Sequence, residues 1–196
     1  GYWYFEKQKK YITFPIYNMY SNDDENDVLN NIRNNLMTAV KKRVETTDRP
    51  IACLLSGGLD SSLICSLVNR EITLNGGVLE TFSIGLEGSD DLKYARLVAE
   101  HLNTKHNEVI VTEKEMLEAI PEVIYKVETY DTTTIRASVG NYLISKYISN
   151  NSKAKVIFNG DGADELMGGY LYFHKCPDSI EFEKECKRLL ENIHCF

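Results

Sequence analysis

No apolar run in this chain approaches the roughly 18 residues that a membrane-spanning helix needs; the segment Ile51-Ala52-Cys53-Leu54-Leu55 is soon interrupted by Ser56. The polar opening Gly1-Tyr2-Trp3-Tyr4-Phe5-Glu6-Lys7 has no signal-peptide pattern. A protein without a membrane partner, in a cytosol-like (cytoplasmic) compartment, is therefore the expectation. Positive charge is in deficit: 22 Lys and Arg against 29 Asp and Glu give a net charge of -7. Such a chain has no overall field to gather a polyanion, which argues against nucleic acid as a partner. Cysteine is scarce and unpaired in pattern. Cys53, Cys65, Cys176, Cys186 and Cys195 are odd in number and form no C-x-x-C pair, so they read as buried or incidental thiols, not as a disulfide framework or zinc site. Internal repeats and low-complexity tracts are also missing.

What is present suffices for a core. The chain has 196 residues, 43% hydrophobic and 26% charged, ordinary values for a globular protein. Its length suits one α/β domain or one large piece of a bigger enzyme. Residues 1 to about 20 are rich in Tyr, Phe and Ile around a polar centre and read as a β-hairpin or extended arm. The acidic stretch Ser21 to Asp27 reads as a solvated connector that places negative charge at the start of a helix. Val28, Leu29, Ile32, Leu36, Val40 and Val44 recur at three and four residues, predicting an amphipathic helix. Strands are expected at 51–55, 79–86, 107–111 and 156–158, with helices from after Ser62 to near Asn69, at 92–102, from Thr112 onward, at 137–148 and at 179–193. Thr112-Glu113-Lys114-Glu115 is a capping box, and Pro121 is expected to break or restart the helix it opens. Strands alternating with helices imply a parallel, twisted sheet flanked by helices.

In such a sheet, ligands bind beyond the carboxyl ends of the strands, and two loops leave strands carrying glycine and acidic residues. In Ser56-Gly57-Gly58-Leu59-Asp60-Ser61-Ser62 the glycines let backbone amides approach an anion, the serines add hydroxyls, and a helix begins at once. The Gly-Lys-Ser/Thr ending of the ordinary triphosphate loop is missing. Asp60 stands there instead and would repel phosphate unless a divalent cation intervenes, so a phosphate chain with Mg²⁺ is the expected ligand. The second loop, Asn159-Gly160-Asp161-Gly162-Ala163-Asp164-Glu165, gathers carboxylates that a cation would satisfy; a solvated acidic turn capping a helix is the alternative.

The motif Ser-Gly-Gly-x-Asp-Ser resembles the fingerprint of the pyrophosphate-loop ATPases, which have an adenine nucleotide alpha hydrolase-like fold. Three further segments narrow the resemblance: Phe82-Ser83-Ile84-Gly85-Leu86, then Glu128 to Ser138 (ETYDTTTIRAS), then Gly168-Gly169-Tyr170-Leu171-Tyr172-Phe173-His174-Lys175. With the first loop they resemble the synthetase domain of glutamine-hydrolysing asparagine synthetases. The resemblance implies that ATP and aspartate form β-aspartyl-adenylate and pyrophosphate, and that ammonia then displaces AMP.

It places Leu55 and Ile84 at the adenine and ribose, and Ser56, Gly57, Gly58, Asp60 and Ser61 at the pyrophosphate. Asn159 and Gly160 fall at the nucleotide, Asp60 and Asp164 at Mg²⁺. Asp161, Arg136, Thr133 and Thr134 fall at the activation and amidation of aspartate. Tyr170, Tyr172 and Phe173 read as packing and stay outside the site. The family usually has glutamate where Asp161 stands, so the charge is kept on a shorter reach. The resemblance further implies a tail of a glutaminase domain or linker over residues 1–25, a synthetase domain over 26–196 that lacks its C-terminal part, and a homodimer as a further option. It therefore implies either a piece of a longer protein or a shortened homologue. A nucleotide-binding remnant without turnover and another amide-forming or thiolating enzyme of the same superfamily remain alternatives.

Overall fold

The computed structural model describes Trp3–Tyr4, Lys9–Lys10 and residues 24–192. Contacts divide the chain into two compact units: residues 31–160 form one, and the segments on either side of it form the other.

The larger unit is built on a parallel sheet. Strands β3 (Ile51–Leu54), β4 (Glu80–Gly85), β5 (Lys105–Ile110) and β6 (Val156–Phe158) stand in the order β5-β4-β3-β6. The register pairs Cys53 with Thr81 and Phe158, and Phe82 with Asn107. The chain starts in the middle at β3, winds outward through β4 to β5, and returns to the other side of β3 for β6. The winding direction thus reverses between β3 and β6, and in open parallel sheets the crevice at such a reversal is where ligands bind.

Side chains alternate across β3, as a strand requires. Cys53 and Leu55 point into a core with Val40 and Val44 of α1 (Glu25–Glu45), Cys65 and Val68 of α2 (Leu59–Leu74), and Ala95 and Ala99 of α3 (Asp90–Leu102). Ala52 points to the opposite face, where Phe82, Val109 and Val111 meet Ile144 and Ile148 of α5 (Thr132–Asn151). A third cluster joins α4 (Glu113–Val127) to the first half of α5 through Ala119, Val123, Ile135 and Val139. Cys53 and Cys65 are buried free thiols, as their composition suggested. Among the described residues no helix is long and apolar enough to cross a membrane.

Four sequence expectations need correction. Helix α4 runs unbroken through Pro121: the proline is on the solvent side, while Ala119 and Val123 beside it are buried against α5, and that packing outweighs one lost backbone bond. Helix α2 continues to Leu74 instead of ending near Asn69, because Ile72 still packs against the core and the chain turns only at Asn75-Gly76. Helix α5 starts at Thr132, five residues early, since Asp131 caps it: its carboxylate accepts from Thr134 N at 2.7 Å. The apolar stripe of α1 is buried only at Val40 and Val44, with Val28, Leu29 and Ile32 exposed.

The capping box is formed in both directions, Glu115 N donating to Thr112 Oγ1 at 3.2 Å and Thr112 N to Glu115 Oε2 at 2.7 Å. In the other unit, β1 (Trp3–Tyr4) and β2 (Lys9–Lys10) pair antiparallel as the start of the expected hairpin. The remainder of that expectation, residues 21–23 and Cys195 lie outside the described residues. This unit also holds α6 (Ala163–Met167), a 3-10 turn (Leu171–Lys175) and α7 (Ser179–Asn192). The first two are too short to leave a periodic signal in sequence.

Between the sheet and α3 lies a polar layer that periodicity does not reveal. Thr81 and Ser83 of β4 are buried, and both ring nitrogens of His106 on β5 meet them, Nδ1 at 2.9 Å from Thr81 Oγ1 and Nε2 at 3.1 Å from Ser83 Oγ. Thr104 Oγ1 is 2.8 Å from Thr81 Oγ1, and Arg96 grips Glu108 with two hydrogen bonds of 2.8 Å. Burial lowers the His106 pKa below its ordinary value; the negative charge of Glu108 opposes this and Arg96 adds to it. The unfolded chain therefore binds a proton at higher pH than the folded one. Stability should fall as pH drops through the ordinary histidine range and level off below the folded pKa. His106→Gln, which keeps hydrogen-bonding groups but does not titrate, should flatten the dependence of the urea midpoint between about pH 7 and 5 relative to wild type. An unchanged slope would assign the dependence to other groups.

Candidate active site

The first loop leaves β3 at its carboxyl end and is closed by its own hydroxyls. Ser61 Oγ accepts from Ser56 N at 3.2 Å, donates to Gly58 O at 3.2 Å, and lies 2.9 Å from Ser56 Oγ; Gly58 N donates to Ser56 Oγ at 3.4 Å. Gly58 is the N-cap of α2 and offers no side-chain cap. The first N–H groups of a helix have no partner within it, so those of α2 face outward uncapped, at the positive end of a sixteen-residue helix. This arrangement suits an anion.

Gly57 gives the loop its shape. Its φ of +82° is a left-handed conformation, and a Cβ there would lie 2.5 Å from Tyr94 Cβ and from the backbone between Tyr94 and Ala95. No side chain fits this position, because helix backbone cannot yield. Ala95 is fully buried, and its small size permits the approach. Sequence reasoning did not find this buttress, since nothing local to Gly57 says which helix will press against it.

The second loop meets the first at Gly160. A Cβ on Gly160 would stand 2.8 Å from Ser61 N, 3.0 Å from Asp60 C and 3.1 Å from Asp60 Cβ. The structure thus brings Ser56, Gly57, Gly58, Asp60, Ser61 and Gly160 together at the β3/β6 reversal, with Asn159 preceding Gly160 directly after β6. Asp60 is exposed in the first turn of α2. Ser62 Oγ is buried with no hydrogen-bond partner among the described residues. Ile84 is half-buried and packs toward α5. Leu55 is 1% exposed, its side chain in the core and its N–H donating to Phe82 O at 2.8 Å, so contact with a nucleotide would come from its backbone.

Thr133, Thr134 and Arg136 lie in the first two turns of α5, exposed. Thr134 Oγ1 donates to Asp131 at 2.8 Å, and the Thr134 N–H and hydroxyl hold that carboxyl below its ordinary pKa. Arg136 forms no ion pair among the described residues. Among the described residues no hydrogen bond or ion pair joins these three to the glycine loop.

Asp161 and Asp164 belong to the other unit. There Gly162, at φ +93°, caps α6. Glu165 accepts a hydrogen bond from Tyr170, whose pKa is pushed up to about 12 by that bond first, then by burial and by the charges of Glu165 and Asp164. Tyr170 and Tyr172 stack at 5.8 Å, Tyr172 and Phe173 at 4.7 Å, and Phe173 meets Phe182 of α7 at 5.1 Å. These rings are packing, as their sequence pattern suggested. Among the described residues no group of three or more His, Cys, Asp or Glu is arranged to hold a metal.

A sequence model of the asparagine synthase family matches residues 31–192. The chain is 47% identical over 192 residues to the glutamine-hydrolysing asparagine synthetase of Homo sapiens, covering 93% of this chain and 34% of that protein. It is 49% identical over 176 residues to the corresponding enzyme of Mus musculus, covering 88% and 31%. The chain thus spans about a third of the length of the curated relatives it matches. Among solved structures, an NH3-dependent NAD synthetase from Campylobacter jejuni superposes with a TM-score of 0.50 at 16% identity, covering 82% of this chain and 72% of that one. That likeness concerns the fold, the helix-flanked parallel sheet of the pyrophosphate-loop ATPases.

Gly160 offers a direct test of the junction between the loops. A methyl group there meets the backbone of Asp60 and Ser61, and overpacking of this kind typically costs about 1–3 kcal/mol. Gly160→Ala should lower the unfolding midpoint correspondingly, read by urea denaturation. An unchanged midpoint would mean that the two loops are not packed against each other at this position.

Proposed function

The chain belongs to the asparagine synthase family, and on that premise we propose that it activates the β-carboxylate of aspartate with ATP and passes the aspartyl group to ammonia. The observation that carries the reading is the uncapped start of α2 with Gly160 seated against Asp60 and Ser61. A carboxylate oxygen of aspartate attacks the α-phosphorus, the bond to the β-phosphate oxygen breaks, and pyrophosphate leaves. Ammonia then adds to the acyl carbon, loses a proton, and expels AMP.

In this scheme the backbone amides at the start of α2 hold the leaving pyrophosphate, and the helix dipole acts where its charge develops. Asn159 and Gly160 border the nucleotide, and the backbone at Leu55 with Ile84 supports the base and ribose. Asp60 is exposed in the first turn of α2, which fits Mg²⁺, an ion commonly held by one or two carboxylates together with phosphate oxygens and water. When bound, Mg²⁺ offsets phosphate charge. Arg136 carries a guanidinium that forms no ion pair among the described residues and is suited to orienting a carboxylate, with Thr133 and Thr134 beside it. The roles of Asp161 in amidation and of Asp164 as a second metal ligand are supported by the motif resemblance alone. The same holds for a glutaminase-tail segment over 1–25 ahead of the synthetase domain.

Aspartate-dependent exchange of pyrophosphate into ATP tests this reading. Wild-type protein should show exchange and Asp60→Ala should lose it. ATP binding without exchange in wild type would favour a binding remnant, and full exchange by Asp60→Ala would sink the metal assignment. A second variant bears on Asp161. Aspartate reaches roughly 1.5 Å less than glutamate, and about 1 Å of misplacement can cost on the order of a hundredfold in rate. Asp161→Glu should therefore raise the rate of asparagine formation with ATP binding nearly unchanged; slower formation would mean that the loop is fitted to the shorter side chain.

A further inference from the structure

The pyrophosphate cradle has no cation of its own. From Ser56 to Ser62 it contains no Lys or Arg, and its one charged side chain is Asp60. A magnesium ion would leave a triphosphate chain still negative, so a fixed positive charge near the loop would have an electrostatic role. The structure places one candidate beside it. Because a Cβ on Gly57 would lie 2.5 Å from Tyr94 Cβ, the loop rests against the second turn of α3. Lys93 is the preceding residue, its Cα about 3.8 Å from that of Tyr94. Lys93 N donates to Ser89 O at 3.4 Å, which fixes it in the opening of α3, and its ammonium lies 5.6 Å from the centroid of the Tyr94 ring. Lys93 is exposed and forms no ion pair among the described residues, although Asp90 and Asp91 share the same first turn. Tyr94 is 51% exposed, so its ring lies at the surface next to the loop.

We propose that Lys93, seated on the Tyr94 ring beside Gly57, is the cation that contacts the pyrophosphate portion of the nucleotide and its leaving group. Lys93 acts as a flexible point charge on a four-carbon stem. Tyr94 is a positioning residue: its backbone buttresses Gly57 and its ring holds the ammonium through a cation–π contact. The inference rests on the reading of the first loop as the ATP site, and it adds a phosphate-binding residue from outside the glycine motif.

Direct binding of three probes to the purified protein with Mg²⁺ present separates the two levels: inorganic pyrophosphate, ATP and adenosine, each by isothermal titration. Wild type should bind all three. Lys93→Gln should weaken pyrophosphate and ATP roughly tenfold and leave adenosine unchanged, and its pyrophosphate affinity should depend less on salt, because one phosphate contact is gone. Lys93→Arg should restore most of the affinity. Tyr94→Phe should behave as wild type, while Tyr94→Leu, which keeps an apolar Cβ-bearing residue against Gly57 but removes the ring, should weaken pyrophosphate several-fold. Equal pyrophosphate affinity in wild type and Lys93→Gln would overturn the inference while leaving the ATP site standing. A wild type that binds none of the probes would overturn both.

Discussion

The contact between the backbone of α3 and Gly57 is the constraint on which the rest of the site depends. A left-handed residue packed against helix backbone has almost no freedom left. Its position dictates where the uncapped start of α2 points, and Gly160 then closes the arrangement from the end of β6. The glycine motif is thus only half a cradle. The other half is the small residue Ala95, whose burial lets α3 come close enough to press the loop into shape. The ring of hydrogen bonds between Ser56, Ser61 and Gly58 maintains that shape, leaving the amides of α2 for whatever the loop binds.

Much of this was legible in the sequence, for reasons that differ from residue to residue. Strand β3 announced itself because it is buried on both faces and reads as an unbroken apolar run. The loop after it was readable because glycine, serine and a helix start are all local. Thr112 and Glu115 could be read as a cap for the same reason. What was not legible depends on partners far away in the chain. Pro121 looked like a break because the burial of Val123 and Ala119 against α5 is invisible locally. The threonines before Ile135 looked non-helical because one cap, Asp131, and one buried isoleucine decide the matter. The buttress of Tyr94 and Ala95 was missed for want of any signal that pairs them with Gly57. For Thr133, Thr134, Arg136, Asp161 and Asp164, roles come from motif resemblance, which operates on a longer memory than any local physical rule.

The two faces of the sheet solve burial differently. Toward α5 the strands present Ala52, Phe82 and Val109 and the packing is apolar. Toward α3 strands β4 and β5 present Thr81, Ser83, His106 and Glu108, which hydrogen-bond to one another and to Arg96. A polar network of this type tolerates few alternative arrangements, because each buried hydroxyl must keep its partner. It therefore specifies the seat of α3 more narrowly than an oily surface would, on the same helix that shapes the glycine loop.

That dependence carries a consequence for folding order. Helix α2 and its loop are contiguous in sequence, but Gly57 acquires its native conformation only once residues 94 and 95 have arrived, nearly forty positions later along the chain. Contacts of such separation form late, after the chain has lost the entropy of closing the intervening segment. A nascent or partly unfolded chain thus has the glycine motif without the cradle. Any ligand that recognises the finished loop binds the folded state selectively and shifts the equilibrium toward it by mass action. Such a ligand acts in that sense as a late inspector of assembly, rewarding molecules in which α3 has already docked.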